Sequence, residues 1–211
     1  AKLEESPDKF HDVLLNVLNR TVSTYTDRRL VEYIVNKNVM SYVKGLGTEN
    51  IEEIDPIFRE WVHQPNLVAA YDELCNTNKK LSKGQPGIPF TFRDVKGDEV
   101  SLSDFKGKYV YIDIWATWCG PCTGELPHLK ELEKKMHGKK IVFVSISCDK
   151  DKAAWEKMVK EKGLEGVQLH NGGDRAFMDA FGVKYIPRFI LLDKEGKVVN
   201  ANMTRPSNAE T

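Results

Sequence analysis

Apolar side chains return along the first third of the chain at helical intervals. Phe10, Val13, Leu14, Val17 and Leu18 stand at i, i+3, i+4, i+7 and i+8, one face of a helix. Leu30, Val31, Ile34, Val35, Val39 and Tyr42 mark a second face. A third helical segment runs from about Thr48 to Val62, with Pro56 expected to interrupt or kink it. The fourth runs from about Asn66 to Leu81, with Leu67, Tyr71, Leu74 and Cys75 on one side. Gly45, Gly47 and Pro65 stand at the breaks, where stop signals belong. Residues 1–84 therefore read as a small all-helical domain.

The texture changes at Lys83-Gly84-Gln85-Pro86-Gly87-Ile88-Pro89, a Gly/Pro-rich stretch with no helical period. It marks the expected boundary of a second domain, residues 85–211. From here strands and helices alternate. Phe90 to Asp94 and Glu99 to Leu102 flank a turn at Val95–Asp98, a hairpin pattern. Tyr109–Trp115 and Ile141–Ser147 are apolar runs of strand length, the first broken only by Asp113. Pro121–Met136, Lys152–Lys162 and Asp174–Phe181 have helical spacing. Arg188–Asp193 and Val198–Met203 form a closing hairpin around Glu195-Gly196-Lys197. This order predicts an α/β fold: a mixed central sheet with helices on both faces.

Charge removes some functions from the list. Lys plus Arg and Asp plus Glu number 31 each in 211 residues, so the net charge is zero. There is no global electrostatic basis for binding nucleic acid or an anionic membrane. The pairs Lys134-Lys135 and Lys139-Lys140 read as solvated helix and loop faces. No run reaches the length and apolarity of a membrane span. Ala1 to Phe10 is charged and unlike a signal peptide, and a chain opening on Ala1 suits a form whose targeting or anchoring segment has been removed.

Four cysteines, Cys75, Cys119, Cys122 and Cys148, are few for a disulfide framework of this length. The five histidines accompany no second Cys-x-x-Cys, so neither a metal nor any other cofactor is expected. Cys119 and Cys122 are the informative pair. On spacing alone they could be half a zinc site or two unrelated core cysteines. They fall, however, where a strand hands over to a helix, with Gly120 and Pro121 between them. There Cys119 meets unpaired backbone N–H groups and the positive end of the helix dipole, which stabilise a thiolate. Pro121 in the first turn sacrifices no helical bond. The thiolate is the attacking species in thiol–disulfide exchange, and Cys122, one turn on, is placed to resolve a mixed disulfide.

Ile112-Asp113-Ile114-Trp115-Ala116-Thr117-Trp118-Cys119-Gly120-Pro121-Cys122 resembles the active-site segment of thioredoxins, the family the handover of Cys-x-x-Cys from strand to helix typifies. The longer Cys-x-x-Cys-x-x-Glu-x-Pro pattern, Cys119 through Pro127, is similar to the TlpA/ResA type of extracytoplasmic thiol–disulfide oxidoreductase, as is Ser101-Leu102-Ser103-Asp104-Phe105-Lys106-Gly107-Lys108. The resemblance covers roughly residues 85–203 and stops short of the helical region. It implies a thioredoxin-like fold, protein disulfides as substrates, an upstream thiol as reductant, and a location in the bacterial periplasm or cell envelope.

Residue roles follow from the same resemblance. Asp113, a lone acid whose burial in a strand would raise its pKa, matches the buried acid that exchanges a proton with the resolving cysteine, here Cys122. Glu125 matches a glutamate that tunes the pair. Ile186-Pro187 matches a cis proline opposite the cysteines. That proline removes a backbone donor near the sulfurs and leaves Ile186 free to pair with an extended substrate. Trp118 would be an exposed wall beside Cys119, with Gly120 and Pro121 completing the contact surface. Pro127 should kink its helix. Arg188, in place of the usual small residue, either shapes substrate choice or points to solvent. Trp115, Cys148 and Cys75 read as packing, and Arg205-Pro206-Ser207 receives no role.

The Gly-Pro pair between the cysteines resembles reductants rather than strong oxidants. Two other readings compete. A thiol peroxidase on this fold needs Thr or Ser three residues before the attacking cysteine, and Ala116 holds that position. Alternatively the helical region is a partner-binding or oligomerisation module serving a redox domain of narrow substrate range, such as one reducing an apocytochrome.

Overall fold

The computed structural model describes residues 7–48 and 50–208, without the side chains of residues 7–9. Residues 1–6 of the predicted helical region, Glu49 of its third segment and residues 209–211 lie outside that description. The chain divides into two compact units between Lys80 and Leu81.

The first unit holds four helices: α1 (Pro7–Thr24), α2 (Arg28–Leu46), α3 (Ile51–Trp61) and α4 (Pro65–Lys80). Their apolar faces meet in one core containing Leu14, Leu18, Val31, Val35, Val39, Ile54, Phe58 and Tyr71. The buried face of α1 differs from the predicted one. Leu14 and Leu18 are buried as expected, but Phe10, Val13 and Val17 are exposed, and His11 and Thr21 are buried in their place. Two polar side chains extend that stripe because each finds a partner: His11 Nδ1 lies 3.4 Å from the Tyr42 hydroxyl, and the Thr21 hydroxyl donates to Val17 O. Leu30, expected on the inner face of α2, is also exposed. Helix α2 runs through Gly45 and ends at Gly47, whose φ of 84° is cheap only for glycine. Likewise α3 continues through Pro56 without interruption.

The second unit is a seven-stranded mixed sheet in the order β2-β1-β5-β4-β3-β6-β7. Its strands are β1 (Thr91–Asp94), β2 (Glu99–Ser101), β3 (Tyr109–Trp115), β4 (Ile141–Ser147), β5 (Val167–His170), β6 (Arg188–Leu192) and β7 (Val198–Met203). β3, β4 and β5 are parallel and the other pairings antiparallel. The helices are α5 (Gly120–Lys135), α6 (Lys152–Lys162) and α7 (Arg175–Ala180). Alternation along β3 separates two cores. Val110, Ile112 and Ile114 join Ile190, Leu192 and Phe177 of α7 on one face. Tyr111 joins Leu129 and Leu132 of α5, with Phe143 and Phe189, on the other.

The short strand β5 escapes pattern reading because only Val167 and Leu169 are apolar and Gly166 precedes it. It is recruited by pairing with β4 on one side and β1 on the other. The expected boundary stretch is tied to the closing hairpin. Gly84 donates to Val198 O, Val198 donates to Gln85 O, and Gly87 donates to Gly196 O, each at 2.8 Å. Leu81 already lies in the sheet's core, which is why the units part four residues earlier than the Gly/Pro texture suggests.

Candidate active site

β3 ends at Trp115, four residues later the chain reaches Cys119, and α5 starts at Gly120. Cys119 is the N-cap of α5, and its sulfur accepts the backbone N–H of Cys122 at 3.2 Å. The two cysteines are joined as a disulfide with Cα atoms 5.2 Å apart. Both are buried, and they lie in a small apolar cluster with Trp115, Ala116, Trp155 and Val159. An N-cap position supplies what a thiolate needs once the disulfide is opened: free N–H donors and the positive end of the helix dipole. Pro121 sits in the first turn and Pro127 within the helix. Gly120 and Pro121 are exposed beside the pair, and Trp118 is 70% exposed.

Opposite the pair, the Ile186–Pro187 peptide bond is cis, and Ile186 O lies 3.8 Å from Cys119 Sγ. Tyr185, one residue earlier, is 85% exposed. No helical or strand pattern singles Tyr185 out, so the sequence passes over it. Arg188 does not point to solvent. It is half-buried and donates to Ala201 O at 3.3 Å, and burial pulls its guanidinium pKa down.

A second buried acid, Asp149, holds the approach to Cys119. Its carboxylate accepts the Thr117 backbone N–H (2.9 Å), the Thr117 hydroxyl (2.7 Å) and the Ser147 hydroxyl (2.7 Å). The neighbouring Cys148 N–H donates to Trp115 O. Asp149 follows an apolar strand as turn acids commonly do, so the sequence does not single it out. Only its burial reveals it. Cys148 is a free, half-buried thiol, and burial, with the charge of Asp149, pushes its pKa up. Cys75 is free and buried in the helical unit, where burial likewise raises its pKa.

Asp113 is 3% exposed and shares the α5 face of β3 with Tyr111 and Trp115. Burial pushes its carboxyl up to about 7, the negative charges of Glu125 and Glu133 add to the rise, and a hydrogen bond from Ser145 opposes it. Glu125, one turn beyond Cys122, is also buried. Its Oε2 accepts the Ser207 N–H (3.0 Å), its Oε1 accepts the Ser207 hydroxyl (2.9 Å), and Arg205 lies 3.9 Å away. The segment without an expected role thus reaches Glu125, one turn beyond Cys122. Among the described residues no group of three or more His, Cys, Asp or Glu is arranged to hold a metal ion, and no helix is long and apolar enough to cross a membrane.

A mixed sheet of this topology, carrying a cysteine pair at the N-terminus of the helix after the inner strand β3, defines a thiol–disulfide oxidoreductase with a thioredoxin-like fold. Residues 82–210 match the redoxin family, and the chain belongs to it. It is 32% identical over 130 residues to the thiol–disulfide oxidoreductase ResA of Bacillus cereus, spanning 61% of this chain and 74% of that protein. Among solved structures, it resembles a Bacteroides vulgatus protein assigned as a thiol–disulfide oxidoreductase (61% identity, TM-score 0.56, 62% of this chain and 86% of that one). A Chlorobium tepidum protein assigned as the thiol:disulfide interchange protein DsbE is similar at 30% identity and a TM-score of 0.54, over 57% of this chain and 84% of that one.

Proposed function

We propose that this oxidoreductase reduces disulfides of exported polypeptides, with Cys119 as nucleophile and Cys122 as resolving thiol. The carrying observation is Cys119 at the N-cap of α5, its sulfur receiving the Cys122 N–H and facing the Ile186 carbonyl. The Cys119 thiolate attacks one sulfur of the substrate disulfide and expels the other as a thiolate. Cys122, losing its proton to Asp113, then attacks Cys119 and releases the second substrate thiol. The enzyme is left as the Cys119–Cys122 disulfide, and an upstream dithiol returns it to the reduced form. Trp118, Gly120, Pro121, Ile186 and Pro187 form the substrate contact surface, and Glu125 tunes the acid at Asp113. The similarity of Cys119 through Pro127 to the TlpA/ResA type of extracytoplasmic oxidoreductase supports placing the chain outside the cytoplasm, in the periplasm or cell envelope.

The test is reduction of insulin by the full chain with a dithiol reductant. Cys119→Ser should abolish turnover, and Cys122→Ser should accumulate a mixed disulfide at Cys119. Turnover by Cys119→Ser, or a mixed disulfide held on Cys122, would reverse the assignment. A narrow substrate range would appear as slow insulin reduction with intact single-turnover exchange.

A second reading assigns the region 1–84 as a separate helical domain that holds a partner or a second copy of the chain. The outward Phe10, Val13 and Val17 of α1 favour it. Val13→Glu with Val17→Glu in the full chain should leave insulin reduction unchanged while weakening association. Unchanged association would remove this reading.

A further inference from the structure

β7 ends at Met203, and the next residues form a strap fastened at two points on the α5 face of the sheet. The Tyr111 hydroxyl of β3 donates to Thr204 O at 3.4 Å. Three residues on, Ser207 gives both its N–H and its hydroxyl to Glu125 of α5. The guanidinium of Arg205 stands 3.9 Å from the same carboxylate. Tyr111, Asp113 and Glu125 therefore share one patch, and the strap touches the two members that flank Asp113. Each oxygen of Glu125 thus has its own donor on Ser207, the backbone N–H on one and the hydroxyl on the other.

We infer that Ser207, with Arg205 beside it, is a positioning element for the exchange reaction: it fixes the Glu125 carboxylate against Asp113 and so sets the pH dependence of proton transfer at Cys122. This rests on the role proposed above for Asp113. The physical basis is direct. A side chain as long as glutamate has three rotatable bonds and, untethered at a helix's first turns, prefers to reach water. Two hydrogen bonds from one residue hold it buried instead. A negative charge held there opposes ionisation of its neighbour. The groups facing Asp113 are Glu125 and Glu133 from α5, Ser145 from β4 and Tyr111 on its own strand, with apolar Phe189 opposite on β6. Of the two acids, Glu125 is the one that the strap restrains.

A graded series at Ser207 tests this in the full oxidised chain. Ser207→Thr keeps both donors, Ser207→Ala removes the hydroxyl, and Ser207→Pro removes both. The readout is the Asp113 titration midpoint, followed by the carboxyl carbon resonance in NMR spectra. It should fall from about 7 in the order Thr, Ala, Pro. Thr should match the parent, and Pro should shift by about half a unit or more, toward the limit set by Glu125→Gln. A midpoint within about 0.2 unit of the parent in both Ala and Pro, or a rise, overturns the inference. Should the Pro variant not fold, the Ala and Thr pair decides alone, since a merely structural strap would change melting temperature and leave the midpoint in place. The proton-transfer reading is tested separately by Asp113→Asn. If that variant keeps the parent's pH–rate profile, the role of Asp113 fails while the Ser207 titration result stands.

Discussion

Asp149 accepts both the backbone N–H and the hydroxyl of Thr117, at 2.9 and 2.7 Å, across 32 positions of sequence. This ties the end of β4 to the loop that delivers Cys119 to the start of α5. Asp149 is 2% exposed, so the bonds are sheltered from water. Replacing it with Ala leaves the Thr117 N–H and the Ser147 hydroxyl without their acceptor. Asp149→Ala should lower unfolding free energy by about 2–4 kcal/mol, and Asp149→Asn by less, since one carbonyl oxygen remains. Urea denaturation of the oxidised chain measures both, and a loss under about 0.5 kcal/mol for Ala would contradict the assigned bonds.

The raised pKa of Asp113 has a consequence for stability. Between 3.8 and about 7 the folded protein keeps a proton that the unfolded chain has already released. Stability from this group is therefore full below about 4, declines as pH rises to about 7, and is level above. The size of the decline is up to about 4 kcal/mol. Asp113→Asn removes the titrating group, so the parent-minus-variant difference in unfolding free energy should become less favourable to the parent across that window. A flat difference from pH 4 to 8 would show that the acid does not titrate in it.

Two exposed aromatics flank the cysteine pair, Trp118 on the α5 side and Tyr185 beside Ile186. Large exposed rings next to a reactive sulfur suit contact with a polypeptide more than with a small disulfide. Trp118→Ala and Tyr185→Ala should each raise KM for a protein disulfide by about 5–30-fold, the equivalent of about 1–2 kcal/mol. Rates with a small aromatic disulfide should change little. Equal losses on both substrates would point instead to a disturbed active-site backbone.

Gly87 packs tightly against the closing hairpin. A Cβ there would meet Gly196 O at 2.7 Å and Leu192 Cδ1 at 3.0 Å. The first contact is with backbone that is itself held by the Gly87 N–H. Gly87→Ala should therefore destabilise the sheet by about 1–3 kcal/mol, read as a lower melting temperature. Gly120→Ala, with nothing within 4 Å of a Cβ, is the steric control and should melt like the parent.

Much of this could be read without coordinates. The strands Tyr109–Trp115 and Ile141–Ser147 and the helix Lys152–Lys162 stand where the apolar spacing puts them, because long periodic segments carry their own signal. Four-residue β5 does not, and only its neighbours make it a strand. On α1, periodicity finds the helix and turns Leu14 and Leu18 inward, yet it sets the buried stripe to one side of where it lies. Apolar residues at Phe10, Val13 and Val17 compete with a stripe that includes His11 and Thr21, and packing against α2 decides between them.

The chemistry divides along the same line. Cys119-Gly120-Pro121-Cys122 determines its own site, since two cysteines one helical turn apart need only a strand-to-helix handover to become a redox pair. Local spacing suffices there because the reacting atoms are three residues apart. The surroundings are another matter. Asp149 reaches Thr117 over 32 positions, Ser207 reaches Glu125 over 82, and Ile186 comes to Cys119 over 67. No periodicity encodes contacts of that range. They exist because the fold brings distant segments together around the pair, where Asp113, Glu125 and Asp149 are buried and Ser207 reaches Glu125 from the surface.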